Sequence, residues 1–307
     1  MGTSYTLLPS PNPLRPPLEV PTLVRWVNGV PSELPLSSLG DPGAVFTPGY
    51  WAVNGEGDLV GQYSLNGVTS LFRYNALSGD FEVIDLEVAG AAQVVAWAIN
   101  DAGQILVDVN GASSLTRLYD PVTGGWTPIP NLPGSFLQGT PFLSSAGQVA
   151  MMLNVNGVDR VFEFKNGVLS PATPDALPGQ GPARNLLGYN AQGLLVGSEF
   201  ATLGTYENGQ FLALFQRLAN PDGWLDLSFF TGFLAGVNDA GQIFGVGNYQ
   251  GRSTAFVLNP ILEDEVPEPA SVRSTGGGCP PGWSVGDEAS LGIKGRLEAE
   301  LAVESRR

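Results

Sequence analysis

Apolar residues along this chain fall in short runs, cut by Asn, Asp, Ser, Gly or Pro, and the cuts recur in register. The stretches "VNGEGDLVGQY", "INDAGQILVDV", "LSSAGQVAMML", "YNAQGLLVGSE" and "VNDAGQIFGVG" align on one glycine, at Gly57, Gly103, Gly147, Gly193 and Gly241, spaced 44 to 48 residues apart. Two positions beyond that glycine stands an aliphatic residue (Leu59, Ile105, Val149, Leu195, Ile243), and the next is apolar as well (Val60, Leu106, Ala150, Val196, Phe244). Neighbours in a strand point to opposite faces, so these strands read as buried on both sides, in sheets covered on both faces. Mostly apolar runs such as "VVAWAIN" and "FLAGVN" precede the turns, which makes each motif a hairpin with glycine in the positive-φ position of a tight loop.

A second set of hairpin signals lies between the first: Asn28-Gly29, Ser78-Gly79, Gly124-Gly125, Asn166-Gly167 and Asp222-Gly223, with an extra Asn208-Gly209 in the fourth unit. Two hairpins in about 45 residues give four strands per repeat, the blade of a β-propeller. The fold expected is therefore all-β, a β-propeller of about five four-stranded blades occupying residues 22–262. Residues 1–21 form a Pro-rich leader, and residues 263–307 a linker and irregular tail whose later half makes at most a short charged helix. The chain opens on a second-type hairpin, "TLVRWVNGVPSELPL", and closes on a first-type one, so both ends together would complete one blade. "STAFVLNP" at 253–260 competes with "TLVRWVNG" for the same third strand, which leaves an incomplete six-bladed propeller as the alternative.

Composition sharpens this picture. Gly (41) and Pro (25) are abundant and charged residues make up only 14%, which favours short strands and turns over long helices. The net charge of −15 argues against nucleic acid and anionic membrane surfaces as partners. There is no histidine, which removes Ser-His-Asp and Cys-His catalysis and imidazole metal ligation, and the single Cys279 can form neither an internal disulfide nor a thiolate cluster. No run reaches the roughly 18 apolar residues of a membrane helix, and the N-terminal stretch lacks a signal-peptide pattern. "GQGPARN" at 179–185 opens no helix with a Lys at phosphate-loop spacing.

Two resemblances add to this reading. The recurring "INDAGQILV" and "VNDAGQIFGVG" turns, followed by an Ala-Phe strand, resemble the HAF repeats of secreted bacterial proteins, over about residues 22–260. "STAFVLNP" keeps Ala255 and Phe256 but has Thr254 in place of the family's histidine, so no role of that histidine carries over. "VPEPAS" at 266–271 resembles the start of a PEP-CTERM sorting tail, with Pro267, Glu268 and Pro269 matching the signature. That resemblance implies export, recognition by an exosortase and a destination at the cell surface or in the exopolysaccharide matrix. The family's apolar anchor and basic cluster are not recognisable after residue 271. The expectation is that a frameshift or misplaced gene end replaced the anchor and that a late start removed a signal peptide, which reading the locus in its other frames tests.

Individual residues carry competing readings. Trp51, Trp97, Trp126 and Trp224 offer faces for sugar stacking, but packing between blades is the default for large aromatics. Asp101 and Asp239 lie in the repeated turns, where Asp bonds its own backbone, and the acidic spacing of a calcium loop is absent. Asp108 and Glu199 are the carboxylates a propeller glycosidase would use if they converged near its axis. The function expected is a non-enzymatic structural or binding propeller, without cofactor or metal. It would be a monomer that meets polysaccharide or other surface proteins. A carboxylate-based glycoside hydrolase is the alternative.

Overall fold

The computed structural model describes residues 2–8, 18–27, 29–34, 39, 44–65, 67–86, 93–110, 115–173, 184–199, 202–207, 210–219, 221–227, 235–260 and 297–301. These residues form six antiparallel sheets in chain order. The first holds β1 (Gly2–Leu8), β2 (Leu18–Val27) and β3 (Val30–Glu33). The second holds β4 (Val45–Val53), β5 (Leu59–Leu65), β6 (Val68–Tyr74) and β7 (Phe81–Ile84). The third holds β8 (Gln93–Ile99), β9 (Ile105–Asn110), β10 (Leu115–Asp120) and β11 (Gly125–Pro128).

In the fourth sheet β12 (Ser135–Leu137) and β13 (Phe142–Leu143) share one edge of β14 (Val149–Val155), followed by β15 (Val158–Lys165) and β16 (Val168–Pro171). The fifth holds β17 (Arg184–Tyr189), β18 (Leu195–Glu199), β19 (Thr202–Glu207) and β20 (Gln210–Ala213), then a 3-10 turn at Leu214–Arg217. In the sixth, β21 (Trp224–Asp226) and β22 (Gly236–Val237) share one edge of β23 (Ile243–Tyr249), and β24 (Arg252–Pro260) and β25 (Leu297–Leu301) follow. Consecutive sheets meet through their innermost strands, β4 with β8, β8 with β13, β13 with β17 and β17 with β22. This is a β-propeller.

Five cores hold the sheets face to face, one at each junction of consecutive sheets. Leu59 packs with Leu23 and Leu34 of the first sheet, whereas its neighbour Val60 joins Val94, Ile105 and Val107 of the third. The same division follows at the next three turns, whereas at the last Ile243 is buried and Phe244 is exposed. Leu106 packs with Val149, Ala150 with Leu195, and Val196 with Ile243. The paired apolar positions of the repeat thus feed two different cores, as the alternation of a strand requires. Fully burying one such side chain stabilises by roughly 1.5–3 kcal/mol.

Four expectations are corrected or resolved by the topology. "STAFVLNP" and the N-terminal hairpin do not share a blade. Residues Ile243 to Tyr249 pair with Leu258 to Arg252 in the sixth sheet, while β2 pairs with β1 in the first. The six-sheet alternative is therefore the one formed, with three strands in the first sheet. The leader contributes β1, so the sheet system begins before residue 22. The tail contributes a strand rather than a helix, β25, whose "LEAEL" alternates with period two. In the fourth unit the outer hairpin joins β19 to β20 with Glu207 opposite Gln210, and Asp222-Gly223 leads instead into β21, which pairs with β23.

Candidate functional site

The recurring turns have one construction. Residues Asn54, Asn100, Ser144, Asn190 and Asn238 each accept at their carbonyl the N–H of the glycine three positions on, at 2.9–3.2 Å. Their side-chain oxygens accept the N–H of the next residue: Asp58 at 2.8 Å, Gln104 at 2.9 Å, Gln148 at 3.1 Å, Leu194 at 2.8 Å and Gln242 at 2.9 Å. The five glycines take φ of 75° to 86°, closing a three-residue loop on a left-handed residue.

The same asparagines also reach forward to the next sheet. Asn54 Nδ2 donates to the Asn100 carbonyl at 2.9 Å, Asn100 Nδ2 to that of Ser144 at 3.1 Å, and Asn190 Nδ2 to that of Asn238 at 3.0 Å. Ser144 has no amide to continue the series. Asp101 and Asp239, expected to bond their own backbone, instead accept from the preceding turn, at Gly55 N–H (2.6 Å) and Ala191 N–H (2.8 Å). These carboxylates tie neighbouring sheets together. Further links run between the fourth and fifth sheets, where the Tyr189 hydroxyl lies 2.9 Å from Gln148 Oε1 and 2.8 Å from Glu163 Oε1, with Lys165 Nζ on the same Glu163 oxygen at 2.9 Å. Burial first, then Glu163, raises the Tyr189 pKa well above the usual phenol range.

The remaining sequence candidates separate. Trp224 is buried against Tyr249 and Phe256, and Trp126 stacks on Tyr119 while its indole N–H donates to the Asp85 carbonyl at 2.8 Å. Trp51 and Trp97 pack against the first and third of the inter-sheet cores in chain order. Asp108 is buried on β9 of the third sheet, and Glu199 ends β18 of the fifth. The two carboxylates thus belong to different sheets, with the fourth between these in chain order. Among the described residues no group of three or more Cys, Asp or Glu side chains is placed to hold a metal ion. Pro267, Glu268, Pro269 and Cys279 lie outside the described residues.

The site that sequence reasoning missed lies where the inner strands of the fourth, fifth and sixth sheets approach. The inner edge of β14 is interrupted at Gln138–Pro141, between β12 and β13, and the gap is anchored by Gln138 N–H on the Met152 carbonyl at 2.8 Å. Gly139 takes φ +77° there. On the facing strand the pairing shifts between Leu186 and Gly188, as in a bulge, and the skipped residue is Leu187. Together with Ala235, these segments enclose a cavity of about 360 Å³. Among the described residues its polar side chains are neutral, Gln138, Thr140 and Asn185, set beside Phe142, Met152 and Leu187. Asn185 Nδ2 is oriented by Ser198 Oγ at 3.3 Å. The one available signal was "LQGTPF", where Gly, Thr and Pro break a strand-like run.

A smaller notch of about 220 Å³ on the second sheet is lined by Arg73, Asn75, Ser78, Asp80 and Glu82. Its cation is already engaged, since Arg73 Nη2 is 2.5 Å from Asp58 Oδ2.

No protein-family model and no curated protein matches the chain. Solved structures do. The β-propeller domain of the Trilobed protease from Pyrococcus furiosus, described as having an open velcro topology, is similar with a TM-score of 0.50 at 8% identity, over 78% of this chain and 75% of that one. TolB from Acinetobacter baumannii is similar with a TM-score of 0.42 at 16% identity, over 63% of this chain. The match spans about half of TolB, 47% of its length. A prolyl endopeptidase structure gives a TM-score of 0.48 at 14% identity, over 78% of this chain and 37% of that one. At these identities the likeness concerns the fold alone.

Proposed function

We propose that this chain is a non-enzymatic binding propeller of the bacterial cell surface or exopolysaccharide matrix, with the cavity between its fourth, fifth and sixth sheets as the ligand site. The observation that carries this reading is the lining. Two amides and a hydroxyl offer both donors and acceptors beside an aromatic ring, a thioether and an aliphatic side chain, with no charged group among the described lining residues. A neutral, polyhydroxylated ligand such as a sugar residue of a polysaccharide suits that chemistry. Asn185 and Gln138 would bond hydroxyls, and Phe142 would meet an apolar sugar face. The surface destination rests on the sorting-type motif at Pro267, Glu268 and Pro269, and an exosortase would be the partner that reads it.

Titration with neutral oligosaccharides tests the site. Saturable binding is expected, weakened about tenfold by Asn185→Ala or Gln138→Ala, the loss that one or two hydrogen bonds imply. Ser78→Ala in the second-sheet notch should leave it unchanged. Binding at background level, or equal weakening by Ser78→Ala, overturns the assignment. Release of new reducing ends that is lost in Asp108→Asn or Glu199→Gln would favour the hydrolase alternative instead.

A further inference from the structure

The hairpins of this fold carry a reactive dipeptide. Two-residue hairpin loops with both residues at positive φ select Asn-Gly, and the chain holds seven Asn-Gly pairs. In three of them both residues are described: Asn54-Gly55, Asn156-Gly157 and Asn166-Gly167. Asn-Gly is also the pair most open to attack on itself, because glycine sets no side chain in the path of its own nitrogen toward the asparagine carbonyl carbon. Asn156 and Asn166 are both followed by Gly-Val, and their turns match, with φ of 53° and 84° in one and 51° and 78° in the other. What differs is the set of hydrogen bonds around each pair.

At Asn54-Gly55 every group that would react is held. The Asn54 side-chain oxygen accepts the Asp58 N–H at 2.8 Å, its amide donates to the Asn100 carbonyl at 2.9 Å, and the Gly55 N–H donates to Asp101 Oδ1 at 2.6 Å. The last two of these bonds cross to the turn of the third sheet. At Asn156-Gly157 the attacking nitrogen is held, since the Gly157 N–H donates to Asn154 Oδ1 at 3.0 Å, and Asn154 is itself fixed by its amide on Asp159 Oδ1 at 2.6 Å. Asn166 and Gly167 are exposed. Among the described residues neither the Asn166 side chain nor the Gly167 N–H has a hydrogen-bond partner.

We infer that Asn166-Gly167, at the tip of the outer hairpin of the fourth sheet, is a site of spontaneous deamidation, and that the bonds joining consecutive turns keep the same chemistry out of Asn54-Gly55. The Gly167 nitrogen, on losing its proton to solvent, attacks Asn166 Cγ. The new bond closes a cyclic imide while the Cγ–Nδ2 bond breaks and the nitrogen leaves as ammonia. Water then opens the imide at either carbonyl, to aspartate or to isoaspartate. At Asn54 the attack requires Cγ to turn toward the Gly55 nitrogen, which breaks the bonds at both ends of the amide before the imide can form. Either product adds a negative charge next to Lys165, on a chain already at −15. Isoaspartate also adds a backbone carbon to a loop closed by Lys165 opposite Val168. Strand β16 is the outer edge of its sheet, so the change falls away from the inner strands that line the cavity.

The test incubates the full chain at mildly alkaline pH and follows each pair over time by peptide mapping, with methyl transfer specific to isoaspartate as a second readout. Asn166 is expected to deamidate at least about tenfold faster than Asn54, whose side chain is held by two hydrogen bonds, with Asn156 between them. Asn154→Ala frees the Gly157 N–H and should raise the Asn156 rate several-fold, toward that of Asn166, while leaving Asn166 itself unchanged. In guanidinium the three rates should draw together, which assigns their order to the fold. An Asn166 rate no higher than that of Asn54 in the folded chain, or a gap that persists in denaturant, overturns the inference. So does an Asn156 rate that Asn154→Ala leaves unmoved.

Discussion

Leu106 in the third sheet and Phe244 in the sixth occupy the same position of the same repeat, yet one is completely buried and the other is 43% exposed. Both follow an Asn-Asp-Ala-Gly-Gln turn of identical sequence, and both turns close with the same hydrogen bonds. The difference lies outside the repeat. Leu106 faces Val149, Met151 and Phe164 of the next sheet, whereas the place after the sixth sheet lacks an inner strand among the described residues. A repeat encodes a strand fit to be covered, but its neighbour supplies the cover.

Stability measurements can break this comparison, and truncating the two apolar residues should give the largest contrast. Leu106→Ala should destabilise by about 2–5 kcal/mol in denaturant unfolding, through lost burial and the cavity left behind. Phe244→Ala should stay below about 1 kcal/mol. Equal losses would mean that Phe244 is covered in solution.

Asparagine comes next. Asn100→Ala removes a buried turn acceptor and the amide bonds to Ser144 and Gln104, at a cost of about 2–3 kcal/mol, against about 1 kcal/mol for Asn238→Ala at the exposed turn. The repeat glycines give a smaller contrast. Gly103→Ala forces a positive φ and sets a Cβ 3.0 Å from Arg73 Nη2, for about 1–2 kcal/mol. In Gly241→Ala the nearest atom is Pro260 Cγ at 3.6 Å, so only the backbone strain of about 1 kcal/mol remains.

The smallest effect is confined to alkaline pH. The folded state holds the Tyr189 proton more tightly than the unfolded chain does, so its contribution is complete below the ordinary tyrosine value of about 10 and declines as pH rises beyond it. Tyr189→Phe should flatten that decline in a pH series of thermal midpoints, and an unchanged slope would show that the hydroxyl is not held between Gln148 and Glu163.

Much of the architecture was legible because it is local. The repeated glycine, the paired apolar residues and the outer hairpin glycines sufficed to derive four-stranded units, and each of the ten turns in the two sets named at the outset has a glycine at positive φ, in nine of them the expected one. In the tenth, Gly124 takes it instead of Gly125. What stayed hidden was relational. Asp101 and Asp239 could not be seen to reach a neighbouring turn, because the partner is 46 or 48 residues away. The cavity escaped notice for a similar reason. Gln138, Asn185 and Ala235 come from three sheets, and each looks like ordinary loop or strand sequence until the inner edges are brought together. The leader and tail strands were missed because β1 and β25 carry no turn motif of the repeat, and pairing alone places them.

Hydroxyl-radical footprinting of the aromatic side chains tests the central claim most directly, because it reads exposure residue by residue in solution. Phe244 and Trp26 should oxidise several times faster, after correction for intrinsic reactivity, than their buried counterparts Phe72 and Phe256 for the one and Trp224 for the other. Protection of Phe244 and Trp26 equal to that of these core residues would contradict their exposure.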